Sequence, residues 1–240
     1  LLFKAREVHA PPFAFVAVSV GLPAAAYIGG LMGSPDILFG SCLGIVVAAC
    51  AALVVCFLPF ALSRTEAAIR EVIPRTSALS FAVAYPGILG SIIVLIASEP
   101  RYATESLLTF VFLCFGNDSI AWLVGMTMGR HRGLVSVSPH KSAAGFIGGM
   151  MASVGVAFAC AALFPTALAA SWWELLVLGL LVGATAIAGD LFESSLKRSA
   201  SIKDSGSRVP GRGGFLDSFD SLLFSAPAFY GLSLLLGFFR

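Results

Sequence analysis

The sequence predicts an all-α, polytopic integral membrane protein, a helical bundle with about seven transmembrane helices. Three observations predict it. The 240 residues are 58% hydrophobic and 12% charged, with a mean hydropathy of +0.94, whereas soluble domains carry about 25% charge. The apolar residues fall into long runs separated by short polar connections, and each run reaches the roughly 20 residues that cross a bilayer as a helix. The basic residues gather in alternate connections. A chain in hydrocarbon must satisfy its own backbone N–H and C=O groups, and a helix does so within one segment.

The runs lie near 13–33, 37–62, 77–98, 106–129, 142–164, 172–192 and 220–239. The first three form an N-terminal region, 1–105, that carries hydrophobic spans and no polar motif. The last four form a region, 106–240, that carries the chemistry-bearing residues. The fourth run holds Asn117 and Asp118 in its middle. The fifth begins at Lys141-Ser142, just after Pro139. The sixth passes into charge at Asp190, and Asp217 and Asp220 stand at the start of the seventh.

Lys4 and Arg6, then Arg64, Arg70 and Arg75, then Arg130, Arg132 and Lys141, then Lys197, Arg198, Lys203, Arg208 and Arg212 all fall on one side if the runs alternate. Only Arg101 and Arg240 of the 15 Lys and Arg residues remain for the other. The positive-inside tendency makes the basic side cytoplasmic, so the motifs below face the cytoplasm. A net charge of +2 gives no reason to expect nucleic acid as a partner. The five cysteines, Cys42, Cys50, Cys56, Cys114 and Cys160, lie inside apolar runs without metal-ligand spacing and read as packing residues. Pairs of glycines four apart, such as Gly125 with Gly129, Gly145 with Gly149 and Gly179 with Gly183, let helix backbones approach closely. The opening Leu1-Leu2-Phe3 shows no cleavable signal pattern.

The densest polar region runs from Gly189-Asp-Leu-Phe-Glu-Ser-Ser-Leu-Lys-Arg to Pro210-Gly-Arg-Gly-Gly-Phe-Leu-Asp-Ser-Phe-Asp. If the sixth helix continues into it, Asp190, Glu193, Ser194 and Lys197 line one face at i, i+3, i+4 and i+7. Asp217 and Asp220, three apart, share another. A loop held by surface ion pairs is the plain alternative, but carboxylates near membrane depth are costly and usually functional. Carboxylates suit Mg2+, which takes one or two of them together with substrate phosphates. Interleaved Lys and Arg suit the phosphates. The combination specifies phosphoryl or nucleotidyl transfer. Asn117 reads equally as an interhelical hydrogen bond or a site residue, and Asp118 as a residue at or beside the metal-phosphate site. In Gly129-Arg-His-Arg-Gly and Ser136-Val-Ser-Pro-His-Lys-Ser142, Lys141 at a helix start suits substrate phosphate. Arg130 and Arg132 read as topology-setting charge, and His9, His131 and His140 as surface residues.

These residues resemble the CDP-diacylglycerol synthases, or phosphatidate cytidylyltransferases. Ser194, Lys197, Arg198, Lys203, Asp204, Gly206, Pro210, Gly213, Gly214, Asp217 and Asp220 stand in register with the family pattern, and the Asn-Asp-Ser and Ser-Pro-x-Lys-Ser segments are similar to it. The likeness covers roughly the carboxyl-terminal half. Arg212 stands where the family usually has His, Ser218 where it has Arg, and Ala143-Ala144 where it has Trp-Glu. The resemblance implies a bacterial inner-membrane enzyme, working as a homodimer, that joins CTP to phosphatidate with Mg2+ and a possible accompanying K+. It implies Asp190, Asp217 and Asp220 as metal ligands and catalytic residues with Lys197 and Lys203. It implies Asn117, Asp118, Lys141, Ser194, Arg198, Arg212, Gly213 and Gly214 as substrate contacts.

Two rivals stay in view. A CTP-dependent polyprenol or phytol kinase-like enzyme needs the same membrane access, nucleotide and metal. An ion-coupled transporter would use Asp118 and Asp190 to line a pathway, although no inverted repeat is visible. A CDP-alcohol phosphatidyltransferase is excluded by spacing, because Asp217 and Asp220 are three apart and no Asp-Gly-x-x-Ala-Arg occurs.

Overall fold

The computed structural model describes residues 12–32, 37–62, 66–202, 205–206, 214 and 216–239. Among them the chain is helical and forms no strand, apart from an isolated bridge between Arg132 and Ser142. The order is α1 (Pro12–Met32), α2 (Ile37–Ala61), the short α3 (Glu66–Arg70), α4 (Val72–Ala97), α5 (Ala103–Met128), α6 (Ala143–Leu163), α7 (Trp172–Ser199) and α8 (Leu216–Leu236). Seven of these correspond to the seven apolar runs. α4 to α8 are long and apolar enough to cross a membrane, while the described apolar stretches of α1 and α2 are 17–31 and 39–55.

The chain divides into two compact units, Leu1–Ser98 and Glu99–Arg240. In the first, α1 packs on α2 and α4. A Cβ on Gly29 would lie 3.1 Å from the carbonyl carbon of Gly40 and 3.3 Å from the Cα of Gly44, so the two backbones are in contact there. α4 widens into a π-helical turn over Val83–Ile88, around Pro86. Proline has no N–H and its ring crowds the carbonyl four residues back, and the wider turn accommodates both defects without ending the span.

In the second unit, α5 packs on α6, α6 on α7, and α7 on α8. The glycine pairs serve these contacts. A Cβ on Gly179 would lie 2.8 Å from the Val154 nitrogen, and one on Gly145 would lie 3.4 Å from the Cα of Gly125. Cys114 and Cys160 are buried in this packing, as expected, whereas Cys42 and Cys50 are exposed on α2. Exposed apolar side chains such as Trp122, Met126, Ile147 and Met151 clothe the outside, as helices solvated by lipid require.

Helix ends follow local chemistry. Ser142 caps α6 with extended backbone, its Oγ accepting the Gly145 N–H at 3.1 Å. At the start of α7, Glu174 Oε2 accepts the N–H of Ser171 at 2.7 Å. α8 closes at Gly237, whose φ of 75° suits only glycine comfortably. Two of the boundaries that differ from the hydropathy reading do so for one reason: α7 runs on to Ser199 and α8 starts at Leu216. Their added turns hold Glu193, Lys197 and Asp217, which pair with one another and so keep a helix going where apolar residues stop.

Candidate active site

The polar residues of the second unit form two clusters. In the first, Lys141, just ahead of the α6 cap, pairs through Nζ with Asp190 Oδ2 on α7. Asp190 and Asp118 of α5 both lie within electrostatic range of Asp220 on α8. The helices allow this because Gly189 brings α7 against α8, where a Cβ would lie 2.8 Å from the Asp220 carbonyl oxygen. The buried Asp220 takes the Ser221 N–H at 2.7 Å.

A cavity of about 340 Å³ adjoins this cluster. Its polar lining includes Asp118, Lys141 and Asp190, and its apolar walls are Trp122, Met126, Phe146 and Ile187. The Lys141 ammonium lies 5.9 Å from the centroid of the Phe146 ring. Arg132 contributes to the rim, but its Nε and Nη2 donate to the carbonyls of Gly129 at 3.2 Å and Gly125 at 3.4 Å. It thus closes the carboxyl end of α5, a job beyond the plain charge expected of it. His131 and His140 are exposed, as expected.

The second cluster is built on Lys197. Its Nζ lies 2.5 Å from Glu193 Oε2 and 2.7 Å from Asp217 Oδ1. Glu193 is completely buried. Asp217 Oδ2 accepts the Ser205 N–H at 2.9 Å, the Ser205 hydroxyl at 2.6 Å and the Gly214 N–H at 2.6 Å. One carboxylate thereby ties the end of α7, the start of α8 and two points of the connection between them. Gly214 has no room for a side chain, since a Cβ would sit 2.6 Å from the Gly206 nitrogen.

The carboxylates expected in one metal site therefore fall into two groups. Asp190 lines the cavity, Asp217 is engaged with Lys197, Ser205 and Gly214, and the buried Asp220 stands between them, within electrostatic range of both Asp190 and Lys197. Among the described residues no three His, Cys, Asp or Glu side chains are grouped to hold an ion by themselves. Two carboxylates beside a cavity fit Mg2+ all the same, because that ion characteristically completes its shell with water and substrate phosphate. The anticipated common face of Asp190, Glu193, Ser194 and Lys197 likewise divides, Asp190 pairing with Lys141 and the other charged pair turning to α8. Ser194 is half-buried and Arg198 exposed. Lys203, Arg212 and Gly213 lie outside the described residues.

Asn117 is drawn into packing: its Nδ2 donates to Ser153 Oγ of α6 at 2.9 Å and to the Gly183 carbonyl of α7 at 3.3 Å. Sequence reasoning placed Glu193 on a shared helix face without naming it a site residue, and it did not single out Ser205. The four-residue spacing of Glu193 and Lys197 was the available signal for the first. Nothing local marked Ser205, whose partner is twelve residues away.

Apolar helices that enclose a carboxylate and ammonium cluster beside a cavity define a polytopic membrane protein with a charged candidate site. The chain belongs to the cytidylyltransferase family, whose model matches residues 7–236, in agreement with the resemblance drawn from its motifs. It is 39% identical to a phosphatidate cytidylyltransferase of Synechocystis sp. over 146 residues, 58% of this chain and 47% of that protein. It is 36% identical to a phosphatidate cytidylyltransferase of Bacillus subtilis over 140 residues, 56% of this chain and 51% of that protein. An uncharacterised Escherichia coli protein, YnbB, is 37% identical over 114 residues, 48% of this chain and 37% of that protein. The chain spans about half the length of the curated relatives it matches.

Proposed function

We propose that this protein condenses CTP with phosphatidate to give CDP-diacylglycerol and pyrophosphate. The observation that carries the reading is the meeting of Asp190, Asp118 and Lys141 at a cavity that also has an apolar wall of Trp122, Met126, Phe146 and Ile187, with Asp220 in electrostatic range of both carboxylates. Phosphatidate has that dual chemistry, and the names of the Synechocystis and Bacillus relatives support the same substrate.

An ionised phosphatidate oxygen is already nucleophilic, so the reaction needs no strong general base. That oxygen attacks the α-phosphorus of CTP, a new P–O–P bond forms, and the bond to the β-phosphate breaks to release pyrophosphate. Asp190 and Asp220 would hold Mg2+, and Asp217 would join them by giving up one of its present partners. When bound, the ion supplies neutralisation of the phosphate charge that develops in the transition state. A K+ ion would share the same acidic surroundings. Lys141 orients the lipid phosphate at the cavity, and Asp118 stands beside the metal-phosphate site. Lys197 holds Asp217 and the α7–α8 connection in place, and Lys203, Ser194, Arg198, Arg212, Gly213 and Gly214 contribute to the nucleotide side. The exposed Trp122 and Met126 give the lipid end of the cavity an apolar surface.

The distribution of Lys and Arg supports a site facing the cytoplasm of a bacterial inner membrane. A homodimer is the expected assembly. The test is product identity: purified protein with CTP and Mg2+ yields CDP-diacylglycerol from phosphatidate and nothing from a polyprenol or phytol. A phosphorylated lipid alcohol as the product would replace this reading with the kinase.

A further inference from the structure

The Lys141 ammonium stands between two environments. On one side is Asp190, whose Oδ2 it holds, and on the other is the cavity lined by Trp122, Met126, Phe146 and Ile187. Asp118 lines the same cavity, and both it and Asp190 lie within electrostatic range of Asp220, so carboxylates outnumber the one lysine in this neighbourhood. The pair is reachable, since the side chains of Lys141 and Asp190 are 24% and 35% exposed. Arg132, also on the cavity wall, already donates to two backbone carbonyls.

A divalent cation on Asp190 repels the Lys141 ammonium as a like charge at such short distances and weakens its hold on Oδ2. Once displaced, Lys141 meets apolar walls and carboxylates that the cation now neutralises. An anion entering the cavity then offers its charge a partner. We propose that Lys141 is an exchanging cation, which neutralises Asp190 until a divalent cation takes that oxygen and then holds the phosphate of an apolar-bodied phosphomonoester in the cavity. This rests on Asp190 as a metal ligand and deepens that reading by coupling two binding events. Coupling of this kind is reciprocal: metal favours the lipid phosphate, and the lipid phosphate favours metal.

The experiment measures binding. The full chain in detergent micelles is titrated with Mn2+, and free Mn2+ is followed by electron paramagnetic resonance, alone and with dioctanoyl phosphatidate. Without lipid, Lys141→Gln binds Mn2+ about fivefold more tightly than wild type, equivalent to about 1 kcal/mol. Lys141→Arg, which keeps the competing charge, stays near wild type. Phosphatidate tightens Mn2+ binding to wild type and does so much less in Lys141→Gln, while Asp190→Asn weakens binding in both backgrounds. Unchanged or weaker lipid-free Mn2+ binding by Lys141→Gln overturns the exchange, as does no Mn2+ binding by any variant. A Lys141-dependent gain seen with CTP and absent with phosphatidate overturns the lipid assignment. The predicted Mn2+ pattern in protein that makes no CDP-diacylglycerol supports the exchange and overturns the proposed activity, so the two failures are distinct.

Discussion

Replacing Asp217 by Asn preserves shape and removes charge at the point where α7, α8 and their connection meet. Asp217 accepts four hydrogen bonds, one from Lys197 on Oδ1 and three from Ser205 and Gly214 on Oδ2. An amide has one oxygen to offer. Its NH2 must therefore face either the Lys197 ammonium or the three donors, and in both orientations donor meets donor. Hydrogen bonds to a charged group contribute about 1.5–3 kcal/mol each. Removing one member of a buried pair costs about 3–5 kcal/mol. Asp217 is 6% exposed, so little water compensates, but Lys197 keeps Glu193 as a partner. The net loss of stability comes to about 2–4 kcal/mol. Asp190→Asn breaks only the more exposed pair with Lys141, where a loss of about 1 kcal/mol or less is expected. Thermal unfolding of the detergent-solubilised variants, followed by far-ultraviolet circular dichroism, should therefore rank Asp217→Asn clearly below Asp190→Asn. An Asp217→Asn protein that melts with wild type, alongside an Asp190→Asn protein that melts lower, would refute the division of the two clusters.

Asn117→Ala removes the donors that join α5 to Ser153 and Gly183, and it should lower stability in the same assay by about 1–2 kcal/mol. Gly179→Val forces a side chain onto the α6 backbone at Val154; overpacking of this kind costs about 1–3 kcal/mol or more, and recovery of folded protein should drop in size-exclusion chromatography. A cysteine at the exposed Ser136, in a background without the native cysteines, should react with a membrane-impermeant reagent only from the cytoplasmic face.

The helices were legible because solvent dictates them: lipid demands long apolar runs, and these survive in the composition of α4 to α8. The ends of α7 and α8 were less so, because hydropathy cannot see that Glu193, Lys197 and Asp217 neutralise one another across two helices. The family resemblance brought Asp190, Asp217 and Asp220 forward as a set. Which of them share a cluster depends instead on the close approach at Gly189 and on Lys141, 49 residues before Asp190. The alternatives for Asn117 could be separated only by seeing Ser153 and Gly183 beside it, since both arrive from other helices.

The central claim is that the cytidylyl group moves to a lipid phosphate, and the fate of label tests it most directly. Purified protein is given phosphatidate and Mg2+ with CTP labelled either on its α-phosphorus or on its γ-phosphorus. The account predicts that α-label enters the lipid product while γ-label leaves in pyrophosphate, and that Asp190→Asn abolishes the transfer in protein that remains folded. Entry of γ-label into lipid, with α-label left in CDP, would contradict it.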